Sequence, residues 1–178
     1  EMKRASSAMI TRSQASARCM PPPAAVAFTP AMTGFSQSWI DAISRCQPLR
    51  MMRAARFVAQ LGVRIERFAA GDIAVRLPYS ELLLRPGGTI CGPALMALAD
   101  VTLYGLVLSM IGRVELAVTT NLNVHFLSRP ARRDVIAEGR ILKLGRRLAV
   151  GEVTMRSDGD PRPICHVTGT YAIPLDVD

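Results

Sequence analysis

Histidine is nearly missing from this 178-residue chain, which has only His125 and His166. Cys19, Cys46, Cys91 and Cys165 form no Cys-x-x-Cys pair, so no zinc set can be assembled and no metal is expected. Dispersed single cysteines suit a reducing cytoplasm, the expected compartment. Aromatic residues are scarce, at 5%, which counts against a nucleic-acid platform that stacks bases on aromatic rings. Acidic residues are absent from positions 2 to 36, a stretch rich in Ser, Ala, Pro, Arg and Met. The same stretch lacks the unbroken apolar run of a secretory signal, because Pro21, Pro22 and Pro23 interrupt it. Residues 1–36 therefore read as a disordered or leader segment, with a transit peptide as the alternative, ahead of one domain over 37–178.

What is present is a globular composition, 49% hydrophobic and 20% charged, with length enough for one well-buried core. The net charge of +8 is spread over Arg45, Arg56, Arg67, Arg132, Arg146 and others rather than packed into one run. Such spacing fits either a solvated basic surface or a phosphate-bearing small ligand. A helix is expected over residues 48–60, with Pro48 in its first turn and Gly62 just past its end. Residues 61–68 and 72–79 alternate apolar and polar and predict a hairpin, followed by a Pro/Gly loop at 85–89. Four further strand patterns, read as a meander, occupy 115–127, 134–144, 146–156 and 164–174.

Between them, Ile90 to Ile111 is apolar and long enough to cross a bilayer. Asp100 lies near its middle, where a charge costs about 2.5–3.5 kcal/mol in a membrane. The strands that follow also need an apolar partner. The segment therefore reads as a buried core helix, not a membrane span. One long helix wrapped by an antiparallel sheet of five to six strands is an α+β architecture.

Candidate chemistry sits at Gly87-Gly88-Thr89-Ile90-Cys91-Gly92-Pro93, with Asp100 eight residues beyond Gly92. Backbone N–H groups at a helix start, Gly92 foremost, favour negative charge and can receive the oxyanion of an acyl-transfer reaction. A carboxylate can serve as base or nucleophile. Eight helical residues span about 12 Å, too far for both groups of one chain to meet around one carbonyl. If both act, the site is shared between subunits of a homodimer or dimer of dimers. The competing reading makes Asp100 a scaffold residue paired with a buried arginine.

The ordered set of motifs resembles the PaaI-like thioesterases of the hot-dog superfamily. That family shows His-Gly-Gly, six residues, then Asp where this chain has Cys91, Gly92, Pro93 and Asp100. Further likenesses are the strand Val118 to Phe126 with Pro130-Ala131 after it, Gly145-Arg146-Arg147, and the closing Thr168-Gly169-Thr170-Tyr171. The resemblance implies a hot-dog fold and hydrolysis of acyl-CoA, with CoA as part of the substrate and no separate cofactor. It implies catalytic roles for Asp100, the Gly92 amide and Thr119. Substrate contacts are expected from Arg85, Gly88, Cys91, Thr120, Arg146 and Arg147. Cys91 replaces the family's His, Pro93 its second Gly, and Arg85 falls near the family's Asn. Strict alternation turns Thr119 away from Leu122, Val124 and Phe126 and places His125 with Asn121 and Asn123. Cys91 is either a small filler or a thiol of lowered pKa, and Arg146 and Arg147 are either solvated or hold CoA phosphates. The other functional class is a non-catalytic hot-dog module that binds acyl-CoA or a protein. A hot-dog dehydratase would need a His–acid pair near the helix, which these residues do not supply.

Overall fold

The computed structural model describes Met52, residues 56–112 and residues 114–174. The leader at 1–36 and most of the 48–60 helix lie outside the described residues. What is described of that helix is α1 (Arg56–Leu61), ended by Gly62 at φ +66°, whose N–H donates to the Ala59 carbonyl at 3.1 Å.

The expected hairpin forms as β1 (Arg64–Ala69) and β2 (Asp72–Leu77), turning at Gly71 with φ +77°. A 3₁₀ turn (Glu81–Leu83) leads into a small hairpin, β3 (Leu84–Arg85) and β4 (Thr89–Ile90), so the Pro/Gly loop is the turn of its own two-stranded sheet. The central helix, α2, runs Gly92–Ile111. The remaining strands are β5 (Val118–Phe126), β6 (Val135–Leu144), β7 (Leu148–Ser157) and β8 (Pro163–Ala172).

All six long strands form one antiparallel sheet in the order β1-β2-β6-β7-β8-β5. The expectation of a plain meander is corrected here. Only β6, β7 and β8 follow chain order, and β5 crosses to the far edge. The sheet wraps α2, and Leu98, Leu103, Leu106 and Leu108 are buried between them. Each such leucine contributes about 1.5–3 kcal/mol. The helix lies close because glycine lines the sheet beneath it: a Cβ at Gly151 would stand 2.9 Å from Leu106 and 3.0 Å from Leu103. Apolar on every face, α2 is thus the buried core of an α+β hot-dog fold.

The outer face of the sheet carries a charge lattice. Arg67 pairs with Asp72 at 2.8 Å, and Arg156 pairs with Glu138. Arg76 reaches Asp158 at 2.8 Å and Asp134 at 3.1 Å, and also Glu66.

Candidate active site

Asp100 is half-buried on its apolar helix, and donors on its shielded side offset the water it loses. Asp100 finds two hydroxyls. Its Oδ1 accepts from Thr119 Oγ1 at 2.6 Å and from the Tyr171 phenol at 2.7 Å. The same phenol lies 3.0 Å from the Asp100 backbone carbonyl. No arginine pairs with it among the described residues. Both hydroxyls meet Oδ1, and Oδ2 has no protein hydrogen bond among the described residues.

Tyr171 is only 2% exposed, and its ring stacks on Tyr104 with centroids 6.1 Å apart. Burial, and after it the Asp100 charge, push its phenol well above the usual tyrosine range, so it remains protonated and a donor. Tyr104 is one helical turn beyond Asp100 and is also pushed up, by burial and then by Glu115. Neither tyrosine was legible as a site residue from spacing alone. The only local signals are the i, i+4 step from Asp100 to Tyr104 and the tyrosine in the closing strand.

Thr119 reaches Asp100 because strict alternation fails in β5. Thr119 pairs with Tyr171 and Asn121 pairs with Thr170, which leaves Thr120 as the extra residue of a β-bulge. The bulge turns Thr119 onto the helix face that Leu122 and Val124 share, correcting the expectation that it points away. Thr120, expected to touch substrate, is exposed on the edge strand and donates its hydroxyl to the Thr170 carbonyl at 3.1 Å. His125 is exposed and sits opposite His166, away from the helix.

The start of α2 forms a second cluster. Cys91 is its N-cap and offers no side-chain cap hydrogen bond, so it does not occupy the first N–H groups of the helix. Its own N–H donates to the Leu83 carbonyl at 2.8 Å, which fixes the entry to the helix. A cavity of about 380 Å³ opens here between Arg85, Ile90, Gly92, Leu95, Phe126 and Arg129. Phe126 packs closely over Gly92, where a Cβ would lie 3.2 Å from its ring. Arg85 donates through Nε to Thr89 Oγ1 at 2.9 Å. The Gly88 carbonyl, in a turn residue with φ +73°, accepts from Arg132 Nε at 3.2 Å.

Arg146 and Arg147 are exposed in the β6–β7 turn, as the Gly-Arg-Arg motif suggested. The Arg147 carbonyl accepts from Ile173 N–H at 2.8 Å, which places this turn at the Tyr171 end of the sheet. The structure therefore gathers the expected residues into two half-sites. Gly92, Cys91, Arg85 and Gly88 form one; Asp100, Thr119 and Tyr171, with the Arg146–Arg147 turn nearby, form the other. β5 joins them, with Thr119 at one half and Phe126 at the other, about 23 Å apart along the strand.

Comparisons with known proteins identify the family. The sequence pattern of the Thioesterase superfamily matches residues 87–164, a span holding Gly92, Asp100 and all of β5. A candidate thioesterase from a Silicibacter species is 42% identical, covering 76% of this chain and 91% of that one, with a TM-score of 0.66. A candidate esterase from Halobacterium salinarum is 32% identical over 124 residues, 64% of this chain and 81% of that protein. A mutant of the phenylacetic acid degradation protein PaaI from Thermus thermophilus is 25% identical with a TM-score of 0.60, covering 67% of this chain and 99% of that one. The chain belongs to the thioesterase superfamily, and its fold is that of the hot-dog thioesterases.

Proposed function

We propose that this protein hydrolyses acyl-CoA thioesters to the free acid and CoA at sites shared across a two-fold homodimer. The observation that carries this reading is the Asp100 carboxylate, held on one oxygen by two hydroxyls and, among the described residues, paired with no cation. The open oxygen acts as base on an attacking water, or attacks the thioester carbonyl itself. As base it takes the water's proton while the hydroxyl adds to the carbonyl. The negative charge forming on the carbonyl oxygen is received by the Gly92 N–H at the uncapped helix start. Collapse of that intermediate breaks the C–S bond, and the proton held on Asp100 passes to the departing CoA sulfur.

Asp100 and the Gly92 that serves it come from different chains. β5 is the outermost strand beyond β8, and it exposes Val118 and Phe126 at 55% and 54%. Antiparallel pairing of two β5 strands about their middle sets each Thr119 end beside the partner's Phe126 end. Asp100 then approaches the partner's Gly92, and the Arg146–Arg147 turn approaches the partner's Arg85, where the phosphates of CoA can be met by guanidinium groups.

The replacement of the family's His by Cys91 and of its second Gly by Pro93 favours the second reading, an acyl-CoA-binding module without turnover. Thiol release from a panel of short, long and aromatic acyl-CoAs separates the two. The enzyme reading expects release that scales with protein concentration on at least one thioester. Saturable acyl-CoA binding with no release above background would make the protein a binding module.

A further inference from the structure

We infer that Tyr171 is a positioning residue for Asp100, which with Thr119 pins Oδ1 and leaves Oδ2 as the one reactive oxygen; this rests on the thioesterase reading. An aspartate χ2 torsion is broad and nearly two-fold, so an untethered carboxylate sweeps both oxygens through many orientations. Here two donors converge on the same oxygen, at 2.6 and 2.7 Å. The phenol's single proton is donated to Oδ1, the nearer acceptor, and the backbone carbonyl of the same residue lies 3.0 Å away, so the hydroxyl is seated over Asp100.

The donor itself is held rigidly. Tyr171 is paired on one side with Ala149 and on the other with Thr119, so it sits in the middle one of three adjacent strands of the sheet. Its ring is 2% exposed and stacked on Tyr104 from α2, the helix that carries Asp100. That packing closes the ring off and its hydroxyl is spent on Asp100, so its effect on the reaction passes through Asp100 and not through the substrate. Productive geometry of this kind depends on supporting residues whose own conformations are locked by packing.

The test compares thiol release by wild type, Tyr171→Phe, Thr119→Val and Thr119→Ser on whichever acyl-CoA the wild type cleaves best. Melting curves confirm that each variant is folded. Tyr171→Phe keeps the ring and its packing and removes only the hydroxyl. The expected result is a fall in kcat of about tenfold with KM within about twofold. Thr119→Val should fall similarly, and Thr119→Ser, which restores a hydroxyl, should return most of the rate. If folded Tyr171→Phe matches the wild-type kcat, or loses only KM, Tyr171 does not position Asp100 and the thioesterase reading stands without it. If the wild type cleaves no thioester at all, that reading fails and the positioning role falls with it.

Discussion

Asp100 shows how a residue's surroundings bear on scaffold against chemistry. A scaffold carboxylate usually ends in an ion pair, because a charge leaving water must recover its solvation. Asp100, half-buried, takes two neutral hydroxyls on one oxygen, and among the described residues its other oxygen has no hydrogen bond. Spacing along the chain was enough to single out Gly92, Cys91 and Asp100, since a helix start and a charge in an apolar run are local signals. Tyr171 was not legible in that way, because its role depends on which strand lies beside which. Cys91 occupies the position of a family histidine, and it is an N-cap with no cap hydrogen bond, packed half-buried against the core. Cys91→Ala should therefore keep kcat within about twofold of wild type. A hundredfold loss in thiol release from acyl-CoA would make the thiol a nucleophile and displace Asp100 from that role.

At the scale of elements, the long strands were readable from alternation and the central helix from its long apolar run, and their placement was not. Alternation says which residues share a face but not which strands are neighbours, so β5 was expected beside β6 and lies across the sheet beside β8. Alternation also fails wherever one residue is inserted, and the extra Thr120 reverses the facing of Thr119. Glycines in strands carry a third kind of information, the closeness of another element. Gly151 sits under α2, where a Cβ would meet Leu106 at 2.9 Å, Leu103 at 3.0 Å and the Arg140 carbonyl at 3.3 Å. Gly151→Ala should destabilise the fold by about 1–3 kcal/mol through overpacking. Urea unfolding reads this directly, and an unchanged midpoint would mean that α2 has room to withdraw from the sheet.

Across the whole molecule, the charged outer face and the open sheet edge make separate predictions. Arg156 beside Glu138 holds that carboxyl below its usual range, and the Tyr79 N–H, with Arg76, does the same for Asp134. Carboxyls lowered in the folded state contribute their stability above their unfolded values and lose it as the pH falls through the folded ones. The melting temperature should hold from pH 7 to about 5 and drop below about pH 4. Arg156→Gln should drop less steeply, and equal slopes would show that Glu138 is not held down by Arg156. The unpaired edge of β5 predicts a dimer in sedimentation at micromolar concentration; a fully active monomer would refute the shared site.

Subunit complementation tests that shared site most directly. Asp100→Asn keeps an oxygen to accept both hydroxyls and removes the reactive carboxylate, so the chain should fold and lose turnover at least a hundredfold. Gly92→Val fills the cavity beside Phe126, a half-exposed ring free to swing aside, and should be comparably inactive. Hybrid dimers of the two chains hold one site built from an intact Asp100 and the partner's intact Gly92. Random mixing makes half of the dimers hybrid, each with one working site of two, so thiol release should recover to about a quarter of wild type. If the mixture stays as inactive as its two components, each active site lies within a single chain and the shared-site account is wrong.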